Sequence, residues 1–469
     1  MFVVTALTSR GPRRMPVIAL VVTWTARVTQ WRHGGFRTNL WLMPALGVIA
    51  ATGLFVVTSA VDHAAYRGSI RLPAWLVSAS AEDARQFVWA IGGAVIAAVG
   101  IVFSITVVTL TLASTQFGPR MLRNLIRDRG TQLTLGALVG TFVYTVLVVA
   151  SIQPGDHGDY VPRLSITTSL VLGFIDLGVF VYIIHHSATR IQLPQVIAEI
   201  ASELIRAAEL QSADDANGRA IAASDAGALD EVMTTLDTSG VVIRTSKSGY
   251  LRFLGHRTLV AIAAESGAVL RLRYRPGHFL VQGSEFATVW PPEAADQVAR
   301  CLKHAVVTGP HRNLTQDVAF GIDQLVEIAM RALSLGVDDT FTAIACVDWL
   351  CDSLCKIAKF WAPKEIHLDD RGTIRVIARQ VSFERLVQRA FEKLRQASRG
   401  MPALMIRQLE ALTTIMAQMT SREQAQVLMD QATMISRASI ESVPEEADRA
   451  DVQRRYDALV ATFDGLKVR

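Results

Sequence analysis

Asp176 stands alone as a charged residue in an otherwise apolar run from Leu164 to Ile184. An acid at the centre of a membrane-spanning helix costs roughly 2.5–3.5 kcal/mol on insertion scales, so it faces the bundle interior and marks a candidate site. Ser169 and Gly173 share its side of the helix. No lysine or arginine lies inside an apolar run to pair with it. The carboxyl is therefore protonated, or hydrogen-bonded to hydroxyls on a facing helix. A proton or cation path and a buried polar contact are the two readings this leaves open.

A second pattern lies on the longest uncharged run, Phe87 to Ala113, and its end. Gly93, Ala97, Gly100, Ser104, Thr111 and Thr115 fall on one helical side. Small and hydroxylated residues let a neighbouring helix approach closely. Ser104, Thr111 and Thr115 would also line a narrow polar path if several subunits met around this helix. Beyond it, Arg120, Arg123 and Arg127 form a basic stripe opposite Leu122, Leu125 and Ile126, suited to anionic lipid headgroups.

Other constellations are weaker. Asp338-Asp339 reads as a helix stop and cap ahead of Thr340, with a ligand or cation loop as the alternative. Cys351 and Cys355 share a helical face without the paired spacing of a zinc site, and His185-His186 diverge on adjacent positions. The chain lacks GxGxxG, P-loop, HExxH and GxSxG signatures, so no catalytic, metal or cofactor site is expected.

The elements that position these residues follow from hydropathy. A bilayer core needs about 20 apolar residues in a helix. Within 469 residues, Leu40–Val61, Phe87–Ala113, Thr131–Ile152 and Leu164–Ile184 meet that length. The segment before the first span and the loop after the second carry ten arginines, against four in the other two loops. This bias puts both termini in the cytosol of a bacterial inner membrane. Met15–Ala26 is too short to span and reads as an interfacial helix, or as residues upstream of the true start, in preference to a cleaved signal. The net charge of +5, with no basic–aromatic run, excludes a nucleic-acid partner. All four cysteines lie in the C-terminal half, as expected of thiols in a reducing compartment.

The expected organisation is a basic segment (1–39), a four-helix transmembrane domain (40–190), a helix and linker (191–240), a small β module (241–290) and a mainly helical region (291–469). The fold class is thus membrane α-helical with a soluble α+β cytosolic domain. Short strands are expected at Val241–Ile243, Tyr250–Leu254, Val269–Tyr274 and Phe286–Trp290, punctuated by Pro276-Gly277 and Gly283. Their turn spacing suggests a small β-barrel-like module without an attachment lysine. A hairpin around Ile366–Val376 and three or four helices from Phe383 complete the chain.

Ser114-Thr115-Gln116-Phe117-Gly118-Pro119-Arg120, Ile184-His185-His186, Gln316-Asp317 with Phe320-Gly321, and Arg331 through Ala343 together resemble the bacterial predicted-membrane-protein family catalogued as domain of unknown function 2254. The resemblance runs from about residue 35 onward. Leu335, Asp338 and Thr340 depart from it where the family tends to have proline, asparagine and proline. It implies the architecture above and supplies no activity. Two functions remain: an oligomeric channel- or transporter-like protein with a cytosolic regulatory domain, or a membrane-anchored scaffold or sensor. The partners expected are the lipid bilayer, further copies of the chain, and an unidentified protein or small ligand.

Overall fold

The computed structural model describes residues 42–71, 73, 75–77, 79–117, 129–153, 160–190, 193–214, 218–219, 226–362, 364–419 and 421–466. The chain divides into two compact units, one spanning Gln30–Val196 and the other containing Ile197–Arg469.

In the first unit, four helices are long and apolar enough to cross a membrane: α1 (Leu42–Tyr66), α2 (Ala81–Phe117), α3 (Arg129–Ser151) and α4 (Arg163–Arg190). The start of α2 is set by Ser80, which accepts from the Asp83 amide and donates to its carboxylate at 2.6 Å. Helices α1 and α3 touch backbone to backbone. A Cβ at Gly140 would sit 2.9 Å from the Gly47 carbonyl oxygen, and one at Gly136 equally close to that of Met43. Only glycine permits such a crossing, which in apolar surroundings supplies the packing that hydrophobicity cannot.

At one end of this unit a buried polar knot joins α1, α3 and α4. Asp62, 3% exposed, accepts from the backbone amides of Leu164 and Ser165 at 2.9 Å and from the Ser165 hydroxyl at 2.7 Å. A carboxylate of the first helix therefore caps the N-terminus of the fourth, satisfying amides the helix itself cannot. The Tyr144 hydroxyl lies 2.9 Å from that of Thr58 and donates to the Ser165 carbonyl. The ring of Tyr160 stacks on His63 beside it.

The second unit begins with α5 (Leu193–Asp214) and α6 (Ala226–Ser239). Its strands are β1 (Gly218–Arg219), β2 (Val241–Arg244), β3 (Gly249–Leu254), β4 (Val269–Leu272), β5 (Phe279–Leu280), β6 (Glu285–Trp290), β7 (Val306–Gly309), β8 (Ile366–Leu368) and β9 (Ile374–Ala378). They form two sheets: six strands in the order β1-β8-β9-β4-β6-β2, and three in the order β5-β3-β7. Helices α7 (His256–Glu265) and α8 (Ala295–Leu302) accompany them. A helical region follows: α9 (Val318–Ala332), α10 (Thr340–Ala358), α11 (Phe383–Ala397), α12 (Pro402–Met416), α13 (Arg422–Ser442) and α14 (Glu446–Asp464).

No closed barrel occurs among the described residues, which corrects the expected β module. Its strands are divided between the two sheets, because α7 separates β3 from β4 and because β4 takes a parallel partner, β9, from about a hundred residues downstream. With neighbours on both sides, β4 is a central strand, and Leu270 and Leu272 are fully buried. It ends at Leu272 rather than Tyr274. Residues 273–278 therefore leave the sheet as a loop, and that loop carries Arg275 and His278 into the site described next.

Candidate functional site

A cavity of about 380 Å³ lies in the second unit, walled by the loop after β4, the loop before α9 and the side of α11. Arg275, His278, Arg312, Asp317 and Arg389 line it. Local rules explain each placement. Asp317 is the N-cap of α9, accepting from the Phe320 amide. Arg389 lies on α11, whose start Ser382 fixes by accepting from the Arg385 amide. Gly277 has φ +92°, and a Cβ there would fall 2.2 Å from Asp317 Oδ2, so the loop seats against the carboxylate only because position 277 is glycine.

The charged side chains form a connected chain. Arg312 donates through Nε and Nη2 to Asp317 at 2.7 and 3.0 Å, and through Nη1 to Asp323 at 2.7 Å. Arg389 donates through Nε and Nη2 to the two oxygens of Asp323 at 2.9 and 2.7 Å. Asp317 is almost wholly buried, its side chain 2% exposed. Burial works to raise the Asp323 carboxyl, but hydrogen bonds from Arg389 and Arg312 hold it below its usual range.

Arg275 differs from its neighbours. Among the described residues its guanidinium makes no hydrogen bond or ion pair. Burial lowers its pKa; the Asp317 charge offsets part of that effect, and Arg389, Arg312 and Arg385 add to it. Burial also drives His278 from about 6.5 down to about 4, reinforced by Arg275, Arg312 and Arg389, so the imidazole is neutral at pH 7. The arrangement is a concave, part-buried site rich in fixed N–H donors, suited to holding a small molecule.

In the membrane unit, Asp176 is 4% exposed and lines a separate, mostly apolar cavity of about 430 Å³ with Ile91, Leu138, Gly173, Phe174 and Phe180. Thr141 of α3 hydrogen-bonds to it, while its Oδ2 is buried without a partner among the described residues. Gly93, Ala97, Gly100, Ser104 and Thr111 are exposed on the unit's outer surface. Nothing approaches a Cβ built at Gly93 or Gly100 within 4 Å, whereas Ala97 also borders the Asp176 cavity. For Thr115 only the backbone, still helical, is described. Arg120, Arg123 and Arg127 lie outside the described residues. Asp339 caps α10, accepting from the Thr342 amide at 3.0 Å and its hydroxyl at 2.6 Å. Asp338 sits beside it at φ +47°. Neither residue is part of the lining of the arginine-lined cavity.

Among the cavity residues, Pro276-Gly277 figures in the sequence as a turn and Asp317 as part of the family resemblance, while Arg312 and Arg389 belong to no motif. Arg275, Arg312, Asp317 and Arg389 span more than a hundred positions without regular spacing, so no sequence pattern joins them. Only the Asp317 cap had a local signal, an Asp before an apolar helical run.

The model of the family described as predicted membrane protein, DUF2254, matches residues 37–414. Uncharacterized proteins of Mycobacterium bovis and Mycobacterium tuberculosis are each 25% identical over 421 residues, covering 88% of this chain and 78% of theirs. No solved structure matches the chain.

Proposed function

From the premise that the chain belongs to the DUF2254 family of predicted membrane proteins, we propose that it is a membrane-anchored sensor whose C-terminal unit binds a small ligand in the arginine-lined cavity. The four apolar helices are the anchor, and the arginine bias of the sequence favours a bacterial plasma membrane with both termini cytosolic. The observation that carries the reading is the cavity itself. About 380 Å³ falls at the lower end of the range for small-molecule sites, and its wall brings Arg275, His278 and Arg389 to one space.

The test is chemical extraction of the full-length protein purified in lipid nanodiscs, with the released small molecules compared against an Ala319→Trp variant that fills the cavity. A compound retained stoichiometrically by the wild type and missing from the variant supports the sensor. Equal retention by both, or none by either across a metabolite panel, removes it.

A second reading is favoured by the outward face of α2. Gly93, Ala97, Gly100, Ser104 and Thr111 are free to meet the same face of another copy, and an oligomeric conduction path would run along it with Asp176 beside it. That reading requires a closed ring of subunits in native mass spectrometry, and flux that Asp176→Ala abolishes without loss of assembly. A monomer, or unchanged flux, removes it.

A further inference from the structure

Resting on the reading of this cavity as a ligand site, we infer that its ligand is a phosphate-bearing anion gripped by Arg275 and by the free edge of Arg389. Charge is the first argument. Arg275, Arg312 and Arg389 line the cavity, and Arg379 and Arg385 lie close enough to act on His278 and Arg275. Among the described residues, the carboxylates bonded to or acting most strongly on these five guanidinium groups are Asp317 and Asp323, and His278 adds no charge at neutral pH. The site therefore carries an excess of about three positive charges, which a single carboxylate on the ligand would not balance and a phosphate monoester at about two negative charges largely would.

Donor geometry is the second argument. Arg389 spends Nε and Nη2 on Asp323, leaving the two N–H groups of Nη1 unused among the described residues. Arg275 has all five of its donors available among the described residues, where the Arg312 fork is already committed to two carboxylates. Planar forks that stay charged are the side chains best matched to phosphate oxygens. The ion-pair chain through Asp323 holds Arg389 in place before a ligand arrives, so little side-chain ordering remains at binding. A neutral ligand could accept from the same guanidinium but would leave its charge unbalanced, and a cationic one would be repelled.

The phosphate has two sources, a soluble phosphate ester or the headgroup of an anionic lipid. The test uses inorganic phosphate as the probe on full-length protein in phosphatidylcholine nanodiscs, by calorimetric titration. Arg275→Gln should weaken phosphate binding by tenfold or more, with Arg275→Lys in between, while thermal stability holds because Arg275 supports no partner. Acetate should bind at least tenfold more weakly than phosphate. Repeating the titration in nanodiscs containing phosphatidic acid separates the sources. A lowered phosphate affinity that Arg275→Gln erases assigns the site to a headgroup, and an unchanged affinity assigns it to a soluble ester.

Phosphate binding that Arg275→Gln leaves unaltered, or no phosphate binding at all, overturns the inference. If the extraction described above yields a neutral or cationic compound that Ala319→Trp excludes, the sensor stands and the anion assignment falls. If no compound depends on the cavity and phosphate does not bind, both fall together.

Discussion

Replacing Asp62 with alanine should destabilise the membrane unit by about 2–4 kcal/mol. The carboxylate receives three hydrogen bonds, from the amides of Leu164 and Ser165 and from the Ser165 hydroxyl. The Ser165 amide is buried and has no substitute acceptor in the first turn of α4, so its loss costs about 1–3 kcal/mol. The Leu164 amide is partly buried and contributes nearer the lower end of an N-cap's usual range, about 0.5–1 kcal/mol. The hydroxyl can rotate to another acceptor and adds little. For a unit of this size about 2–4 °C of midpoint follows each kcal/mol, which predicts a fall of about 5–15 °C. The assay is heat-induced loss of the monodisperse peak of detergent-purified protein on size exclusion. Asp62→Asn keeps one acceptor oxygen and should lose about half as much. A double-mutant cycle with Ser165→Ala should show coupling above about 0.5 kcal/mol. A midpoint within about 1 °C of wild type for Asp62→Ala, or strict additivity in the cycle, would refute the interhelical cap.

Four further outcomes are expected. Gly277→Ala should cost about 2–4 kcal/mol, since the added methyl meets a carboxylate pinned by Arg312 and the φ is unfavourable for alanine; thermal denaturation at neutral pH reads it. Asp323→Ala should destabilise by about 2–3 kcal/mol, less than a fully buried pair because the side chain is 24% exposed, yet strongly because Arg389 loses its carboxylate and Arg312 keeps only Asp317. His278, held near 4 when folded, takes up its proton first in the unfolded chain, so its contribution falls as pH drops from about 6.5 toward 4. Solvent screening leaves about 1 kcal/mol of that loss between pH 7 and 5, and the wild-type unfolding free energy should fall by that much more than that of His278→Gln over the interval. Gly140→Val should cost about 1–3 kcal/mol by forcing α1 from α3, whereas Gly100→Ala on the open face of α2 should stay within about 0.5 kcal/mol in monomeric protein; size-exclusion thermostability compares the two.

The four spans were legible because length and apolarity alone identify a bilayer helix, and each helix overlaps its expected span with ends displaced by a few residues. Periodicity groups Gly93, Ala97, Gly100, Ser104 and Thr111 on one side of α2, where all five are exposed, but a small-residue face does not declare which neighbour it meets. The glycines set against another helix's backbone are Gly47, Gly136 and Gly140, with Gly92 and Gly173 against side chains of Thr145 and Ile91, and the GxxxG spacing of Gly136 and Gly140 was a readable signal. In the C-terminal unit most strands were legible from alternation and turns. Their partners were not, because β4 pairs with a strand that local patterning cannot reach. The arginine-lined cavity was illegible for the same reason: its walls come from three separate stretches brought together by tertiary packing.

The β4–β9 pairing also places a clock on synthesis. Leu270 lies beside Val376 in the finished sheet, yet at about 5–20 residues per second the ribosome needs on the order of 5–20 s to travel between them. For that interval α1–α4 are already made, while one edge of β4, with its backbone N–H and C=O groups unpaired, waits for a strand not yet translated. An unpaired edge of this kind is a template for association with a second nascent chain. Genes truncated before residue 374 would make this exposure permanent, so their products should reach the membrane and then aggregate or be degraded there.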